Sequence, residues 1–180
     1  MNVITKRAFL LAAALVAGEE GLRLVAYKDA AGIWTICNGV TQGVKEGDTA
    51  TPAYCQNRLI VELNRHSKPF KKLPLQAPQH VNIAMLSWGY NVGVGNVLGS
   101  SVYDYLEVGS WNRACKGLLD WRKVRINGIL RDCSMEPWKR QCGGVYNRRV
   151  DEYLVCTGTI SPEAMIAKWG FLPPPDGAER

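Results

Sequence analysis

The 180-residue chain is poor in histidine, with only His66 and His80, and it has no Cys-x-x-Cys pair. Those two scarcities argue against a zinc site of four soft ligands, and no metal or other cofactor is expected. Its most apolar stretch, Ala8 to Ala17, is ten residues long, whereas a full membrane span needs roughly 20. There is no internal repeat and no low-complexity linker, so one domain, divided into lobes at most, is expected. Nothing in the composition, 21% charged and 47% hydrophobic, suits a disordered chain. The basic residues are scattered rather than striped and no recognition motif accompanies them, which speaks against nucleic acid as a partner.

What the chain does have is a positive balance. Its formal net charge is +6. That favours anionic partners, whether nucleic acid, a membrane surface or cell wall, and charge alone does not choose among them. It also has six cysteines: Cys37, Cys55, Cys115, Cys133, Cys142 and Cys156. An even count permits disulfides in an oxidising compartment, and buried thiols in a cytosolic protein are the alternative. Lys6 and Arg7 precede the apolar stretch 8–17, in the manner of a signal peptide. The same stretch is rich in alanine and leucine, strong helix formers.

Along the chain, 8–20 reads as a helix ending near Gly21. Arg23–Tyr27 and Ile33–Cys37 are β-prone and flank the turn-rich Asp29–Gly32, which predicts a hairpin. With the turn signals Asn38-Gly39 and Glu46-Gly47-Asp48, residues 21–50 read as a small β-rich lobe. Thr51-Pro52 opens a helix with Thr51 as its N-cap, and Pro69, Pro74 and Pro78 punctuate the chain beyond it. Val81, Ala84, Met85 and Trp88 keep helical spacing over 78–91. Short helices are expected over 101–108 and 111–121, the second capped by Ser110. Asn127-Gly128 between β-prone runs predicts a second hairpin. Further helices are expected near 145–156 and after Ser161-Pro162. The fold class is therefore α+β: residues 1–160 form a single domain, with a first helix, a small β lobe and a mostly helical lobe over 52–160. A short helix and a Pro-rich tail, including Pro173–Pro175, occupy 161–180. A cleft between lobes is a common ligand site.

Two carboxyl groups stand out. Cleaving a glycosidic bond needs one protonated carboxyl to donate to the leaving oxygen and one ionised carboxylate on the other side of the sugar. Glu20, at the end of an apolar helix, would have its pKa raised by burial. Asp29 lies in a turn, where solvent keeps it ionised, and the hydroxyl of Thr35 would hold a water beside it. On spacing alone the pair is weak, since a helix-end Glu and a turn Asp occur in most proteins.

The surrounding residues carry more. The segment Glu20-Gly21-Leu22-Arg23-Leu24-Val25-Ala26-Tyr27-Lys28-Asp29-Ala30-Ala31-Gly32-Ile33-Trp34-Thr35-Ile36 resembles the active-site segment of the phage endolysins of glycoside hydrolase family 24, in which Glu, eight residues, Asp, five residues and Thr recur. Trp88-Gly89-Tyr90-Asn91-Val92-Gly93 is similar to that family's cleft-lining helix end. Asn147-Arg148-Arg149 looks like its Asn-Arg-Arg. The resemblance covers roughly residues 8–158 and implies a phage-lysozyme-like fold, closest to disulfide-bearing endolysins of phages of Gram-negative hosts.

It further implies Glu20 as general acid, Asp29 as the base that activates water, and Thr35 as its helper. Inversion at the anomeric carbon is implied, with carboxyls about 6.5–9.5 Å apart. Arg148 would pair with Glu20, and Asn91, Tyr27 and Gly39 would support substrate binding. A cation beside Glu20 lowers its pKa and opposes burial. The resemblance also implies the pairs Cys37–Cys55, Cys115–Cys156 and Cys133–Cys142.

Two features depart from the family pattern. Gly39-Val40-Thr41 stands where Gly-His-Thr is usual, which removes a histidine able to make an ion pair. Residues 123–141 form a longer stretch than usual, read as an extra hairpin over the cleft, a substrate-binding surface or a decorated surface loop. The implied partner is bacterial peptidoglycan, met by a monomer in the host periplasm after synthesis in the host cytoplasm. Cleavage near Ala17 would leave Glu20 almost at a free end, so retention of 8–20 is expected. Export would run through a holin-type lesion or through transient association of residues 8–17 with the inner membrane. A chitinase-like glycosidase and a non-catalytic wall-binding module on the same fold are the rivals.

Overall fold

The computed structural model describes residues 1–29 and 32–169, and the side chain of Glu20 lies outside what it describes. The expected Pro173–Pro175 tail lies outside the described residues as well. The architecture is α+β, mostly helical, with two separate two-stranded antiparallel sheets.

Helix α1 spans Lys6–Glu20. It starts two residues earlier than the apolar pattern suggests because Thr5 caps it, its hydroxyl accepting from the Ala8 N–H at 3.1 Å. Ala8, Leu11, Ala12, Leu15 and Val16 are buried, the i, i+3, i+4, i+7, i+8 face of a core helix. Burying Leu11, Leu15 and Val16 contributes about 1.5–3 kcal/mol each. The segment before the helix is held too. Asn2 is buried, its amide donating to Asn82 Oδ1 at 2.7 Å and to the Phe70 carbonyl at 3.0 Å.

Strands β1 (Arg23–Lys28) and β2 (Trp34–Cys37) form the expected hairpin, with Tyr27 opposite Thr35 and Lys28 opposite Trp34. Isolated bridges join Val25 to Thr49 and Ile36 to Val40. This lobe has its own small core of Ile36, Cys37, Val40 and Cys55. Val40, at the position where the family pattern has histidine, is buried there at 5% exposure, so packing occupies the place of an ion pair.

Helix α2 (Pro52–Lys71) begins as read, with the Thr51 hydroxyl accepting from the Tyr54 N–H. It runs through Pro69 instead of stopping before it. Phe70 is fully buried and anchors that last turn in the core. Helix α3 (Gln79–Val92) crosses close by. A Cβ placed on Gly89 would lie 2.8 Å from Phe70 Cε2, so the approach requires glycine.

Helices α4 (Val94–Leu98), α5 (Ser101–Glu107) and α6 (Trp111–Gly117) come next. Ser110 stands at the N-cap of α6, but its hydroxyl makes no cap hydrogen bond, and the segment ends as a 3-10 turn over Leu118–Asp120. Strands β3 (Lys123–Ile126) and β4 (Ile129–Asp132) form the second hairpin. Asn127 and Gly128 both have positive φ, 51° and 78°, as a tight two-residue turn demands. The 123–141 stretch is thus a hairpin with an exposed tip, Ile129 and Leu130, and then a loop in which Arg131 lies over the Trp138 ring at 4.2 Å.

Helix α7 spans Lys139–Cys156, longer than expected, because a first turn joins it across a kink at Cys142. Helix α8 (Pro162–Lys168) is capped by Ser161. The main core unites all eight of these helices, α4 contributing Val97.

Three disulfides join Cys37 to Cys55, Cys115 to Cys156 and Cys133 to Cys142, at sequence separations of 18, 41 and 9. The first ties β2 to α2, the second α6 to the end of α7, and the third closes the loop after the extra hairpin. In the chain-entropy account a longer closed loop stabilises more. Replacing Cys115 and Cys156 by serine is expected to cost about 4 kcal/mol, and replacing Cys133 and Cys142 about 2.5 kcal/mol. Urea unfolding of the two double variants checks that order.

Candidate active site

The site is built where α1 ends and the small lobe begins. Glu20 is the last residue of α1, and Gly21 comes next at φ 68°, its N–H donating back to the Ala17 carbonyl at 3.2 Å. The Asn38 side-chain amide donates to the Gly21 carbonyl at 2.8 Å. The Tyr90 hydroxyl of α3 donates to the Asn38 carbonyl at 2.9 Å. This chain of bonds ties the backbone after Glu20 to β2 and to α3. Asn38 is 4% exposed. Sequence reasoning reads Asn38 only as half of a turn signal, and misses that it is the joint between lobes.

Asp29 closes the first hairpin. Its carboxylate accepts from the Ile33 N–H at 2.9 Å, and its own N–H donates to the Ile33 carbonyl at 3.0 Å. Thr35 is buried at 3% exposure and donates its hydroxyl to the Ile33 carbonyl at 3.0 Å. Because Thr35 pairs with Tyr27, their side chains share a face of the hairpin, and Asp29 lies two residues beyond Tyr27. Tyr27, partly buried, lies under the Arg23 guanidinium at 4.5 Å.

Gly39, at φ 85°, lines a cavity of about 140 Å³ between the small lobe and α2. Its wall also holds Thr41, Arg58, His66 and Tyr90. Asn91, one residue beyond Tyr90 near the end of α3, is exposed. Of the residues expected at the site, Gly39 thus stands at this cavity beside Tyr90, while Asp29, Thr35 and Tyr27 stand together on the hairpin.

Arg148 engages Glu19, the residue before Glu20 in sequence. Its Nε lies 3.3 Å from Glu19 Oε2, and its Nη2 donates to the Glu19 carbonyl at 3.4 Å. The Glu19 side chain is 3% exposed. It belongs to a buried polar cluster in which the Ser87 hydroxyl of α3 stands 3.1 Å from Glu19 Oε2 and 2.8 Å from Glu152 Oε1. Arg149 holds Glu152 through Nη2 at 2.9 Å and Nε at 2.9 Å, both side chains fully buried.

Burial pushes the Glu19 carboxyl well above the usual range, and the nearby Glu152 charge adds to the rise, while Arg148 and Arg149 pull it down. Burial raises Glu152 to about 7 against the lowering pull of Arg149. Glu19, which sequence does not single out, is thus a buried carboxyl at this helix end. Ser87 and Glu152 carried no sequence signal, because a serine and a glutamate within helical patterns look like surface residues.

The chain matches the family described as phage lysozyme over residues 17–152, and it belongs to that family. It is accordingly a glycoside hydrolase, an endolysin-type enzyme that hydrolyses peptidoglycan. Among similar proteins, a SAR-endolysin of Pseudomonas phage phiKMV is 36% identical over 157 residues, covering 83% of this chain and 89% of its own. In fold, the chain is similar to an endolysin from Escherichia coli O157:H7 phage FAHEc1, with a TM-score of 0.73 and 24% identity over 88% of this chain and 96% of that one. It is also similar to the muramidase domain of SpmX from Asticaccaulis excentricus, with a TM-score of 0.71 and 21% identity over 87% and 98%.

A carboxyl whose folded pKa is raised supports the fold best when protonated. Glu152 therefore contributes most below its unfolded value, and that contribution is lost as pH rises from about 4.5 through about 7. Arg149 limits the loss by neutralising the ionised form. Arg149→Ala is expected to cost about 3–5 kcal/mol where Glu152 is ionised and clearly less where it is protonated. Urea unfolding at about pH 8 and about pH 5 tests that difference.

Proposed function

We propose that this enzyme cuts the β-1,4 bond between N-acetylmuramic acid and N-acetylglucosamine with inversion, Glu20 acting as general acid and Asp29 as base. The observation that carries this reading is the family match over 17–152, a span that contains Glu20, Asp29, Thr35 and Arg148. Two structural facts support it. Glu20 ends a helix whose final turn is tied to both lobes. Asp29 and Thr35 sit on one small hairpin whose fold fixes both.

In this mechanism the Glu20 proton goes to the leaving glycosidic oxygen. Asp29 removes a proton from water, and the Thr35 hydroxyl helps to place that water. The oxygen delivered from the face opposite the leaving group turns the β bond into an α product. Arg148 acts at the base of the site, where it fixes the turn that ends in Glu20. The excess of positive charge suits a polymer that carries peptide carboxylates.

Acting on peptidoglycan places the work in the host periplasm. The 15-residue α1 is about 22 Å long, and among the described residues no helix is long and apolar enough to cross a membrane. Residues 8–17 lie in the core in the folded enzyme, so any transient stay in the inner membrane ends before the fold closes. Release through a holin-type lesion requires no such stay.

Turnover of purified peptidoglycan by wild type and Glu20→Gln tests the assignment. Glu20→Gln is expected to lose on the order of a thousandfold or more in rate. The wild-type product is expected to appear first as the α anomer by NMR and to carry muramic acid at its new reducing ends. A β anomer formed first would overturn inversion, and glucosamine ends would favour the rival glycosidase.

A further inference from the structure

The Ser87 hydroxyl has two carboxylate oxygens within hydrogen-bond distance, 3.1 Å to Glu19 and 2.8 Å to Glu152. A hydroxyl carries one hydrogen and donates one bond. If both carboxyls were ionised, one contact would set oxygen lone pairs against each other in a site from which water is excluded. The geometry is satisfied when one carboxyl holds a proton. That carboxyl then donates to Ser87, and Ser87 donates to the other.

We propose that Glu19 and Glu152 share one proton through Ser87, and that this proton holds the end of α1, and with it Glu20, in its working position. The second half of the proposal rests on the assignment of Glu20 as the acid. Glu19 and Glu152 are positioning residues in this scheme.

The distances say which carboxyl is neutral. Glu152 has the shorter contact to Ser87 and two contacts to Arg149 at 2.9 Å, the partners an ionised group needs. Glu19 has the longer contact and an Arg148 Nε at 3.3 Å; one oxygen of each carboxyl, Glu19 Oε1 and Glu152 Oε2, is buried with no hydrogen-bond partner, but that of Glu152 lies 2.9 Å from the Arg149 guanidinium. A buried bare carboxylate oxygen is costly, and protonation removes most of that cost. The proton therefore sits on Glu19 and points to Ser87 Oγ, while the hydroxyl hydrogen points to Glu152. Burial raises both carboxyls, and the Glu152 charge adds to the rise at Glu19, in agreement with this.

The charged groups around the pair come from three helices. α1 supplies Glu19, with Glu20 beside it in sequence. α7 supplies Arg148, Arg149, Asp151 and Glu152, and Asp151 is engaged by Lys168 of α8 at 2.8 Å. α3 contributes the uncharged Ser87. With one proton in the pair, Arg149 is matched by Glu152, and Arg148 stands beside the last turn of α1. When the proton leaves to solvent, two adjacent buried carboxylates compete for one hydroxyl. α1 is then pushed away from α7 at the residue that precedes Glu20.

The test compares wild type with Glu19→Gln, which mimics the neutral carboxyl. Infrared spectra of the full chain near neutral pH are expected to show a protonated-carboxyl carbonyl band in wild type that Glu19→Gln lacks. Thermal unfolding is expected to fall with rising pH in wild type and much less in Glu19→Gln. At about pH 8.5 the variant is expected to keep about tenfold more of its neutral-pH cleavage rate than wild type does, one unit of displacement in the alkaline limb. No such band in wild type overturns the proposal. So does a Glu19→Gln chain that is unfolded at every pH, because an ionised Glu19 would then be what Arg148 requires. The band and the unfolding curves do not depend on turnover, so the proposal and the Glu20 assignment fail separately.

Discussion

The contact on which the rest of this structure depends is the polar one at the end of α1. A helix that is apolar over most of its length finishes in two glutamates. The first of them turns inward against Ser87 of α3 and the arginines of α7. Apolar burial draws α1 into the core but is indifferent to sliding and rotation by a fraction of a turn. The buried hydrogen bonds are not indifferent, because a displaced partner leaves a charge or a donor unsatisfied at a cost of several kcal/mol. They therefore set where α1 stops, and the small lobe is hung from that point by Asn38 and Tyr90.

Much of this was legible from the residues. The hairpins, the Thr51-Pro52 helix start and the helical apolar face of 81–88 come from local rules that tertiary structure did not override. The Asn127-Gly128 turn is the clearest instance, since asparagine tolerates the positive φ that both residues take and glycine has no side chain to oppose it. Boundaries were less legible. α2 continues through Pro69 because Phe70 has a place in the core, and no local rule contains that information. α7 reaches back to Lys139 for a similar reason, the Cys133–Cys142 link holding its first turn in place across the kink.

The site was legible in part. The spacing of Glu20, Asp29 and Thr35 is a one-dimensional pattern, and it survives in the chain whatever the fold does. The support around it is three-dimensional. Ser87 lies 68 residues from Glu19 and 65 from Glu152, so nothing in sequence joins them. The resemblance implies Arg148 beside Glu20, and the geometry adds its contact with Glu19, which no sequence pattern indicates.

The bond between Arg7 and Glu163 spans 156 positions. α1 leaves the ribosome well before its packing partners α3, α7 and α8. Until then its apolar face has nothing of its own chain to rest on, a condition in which partly made proteins are prone to aggregate or to be captured by chaperones. The helix that leads into the candidate site is thus made well before the helices that seat it.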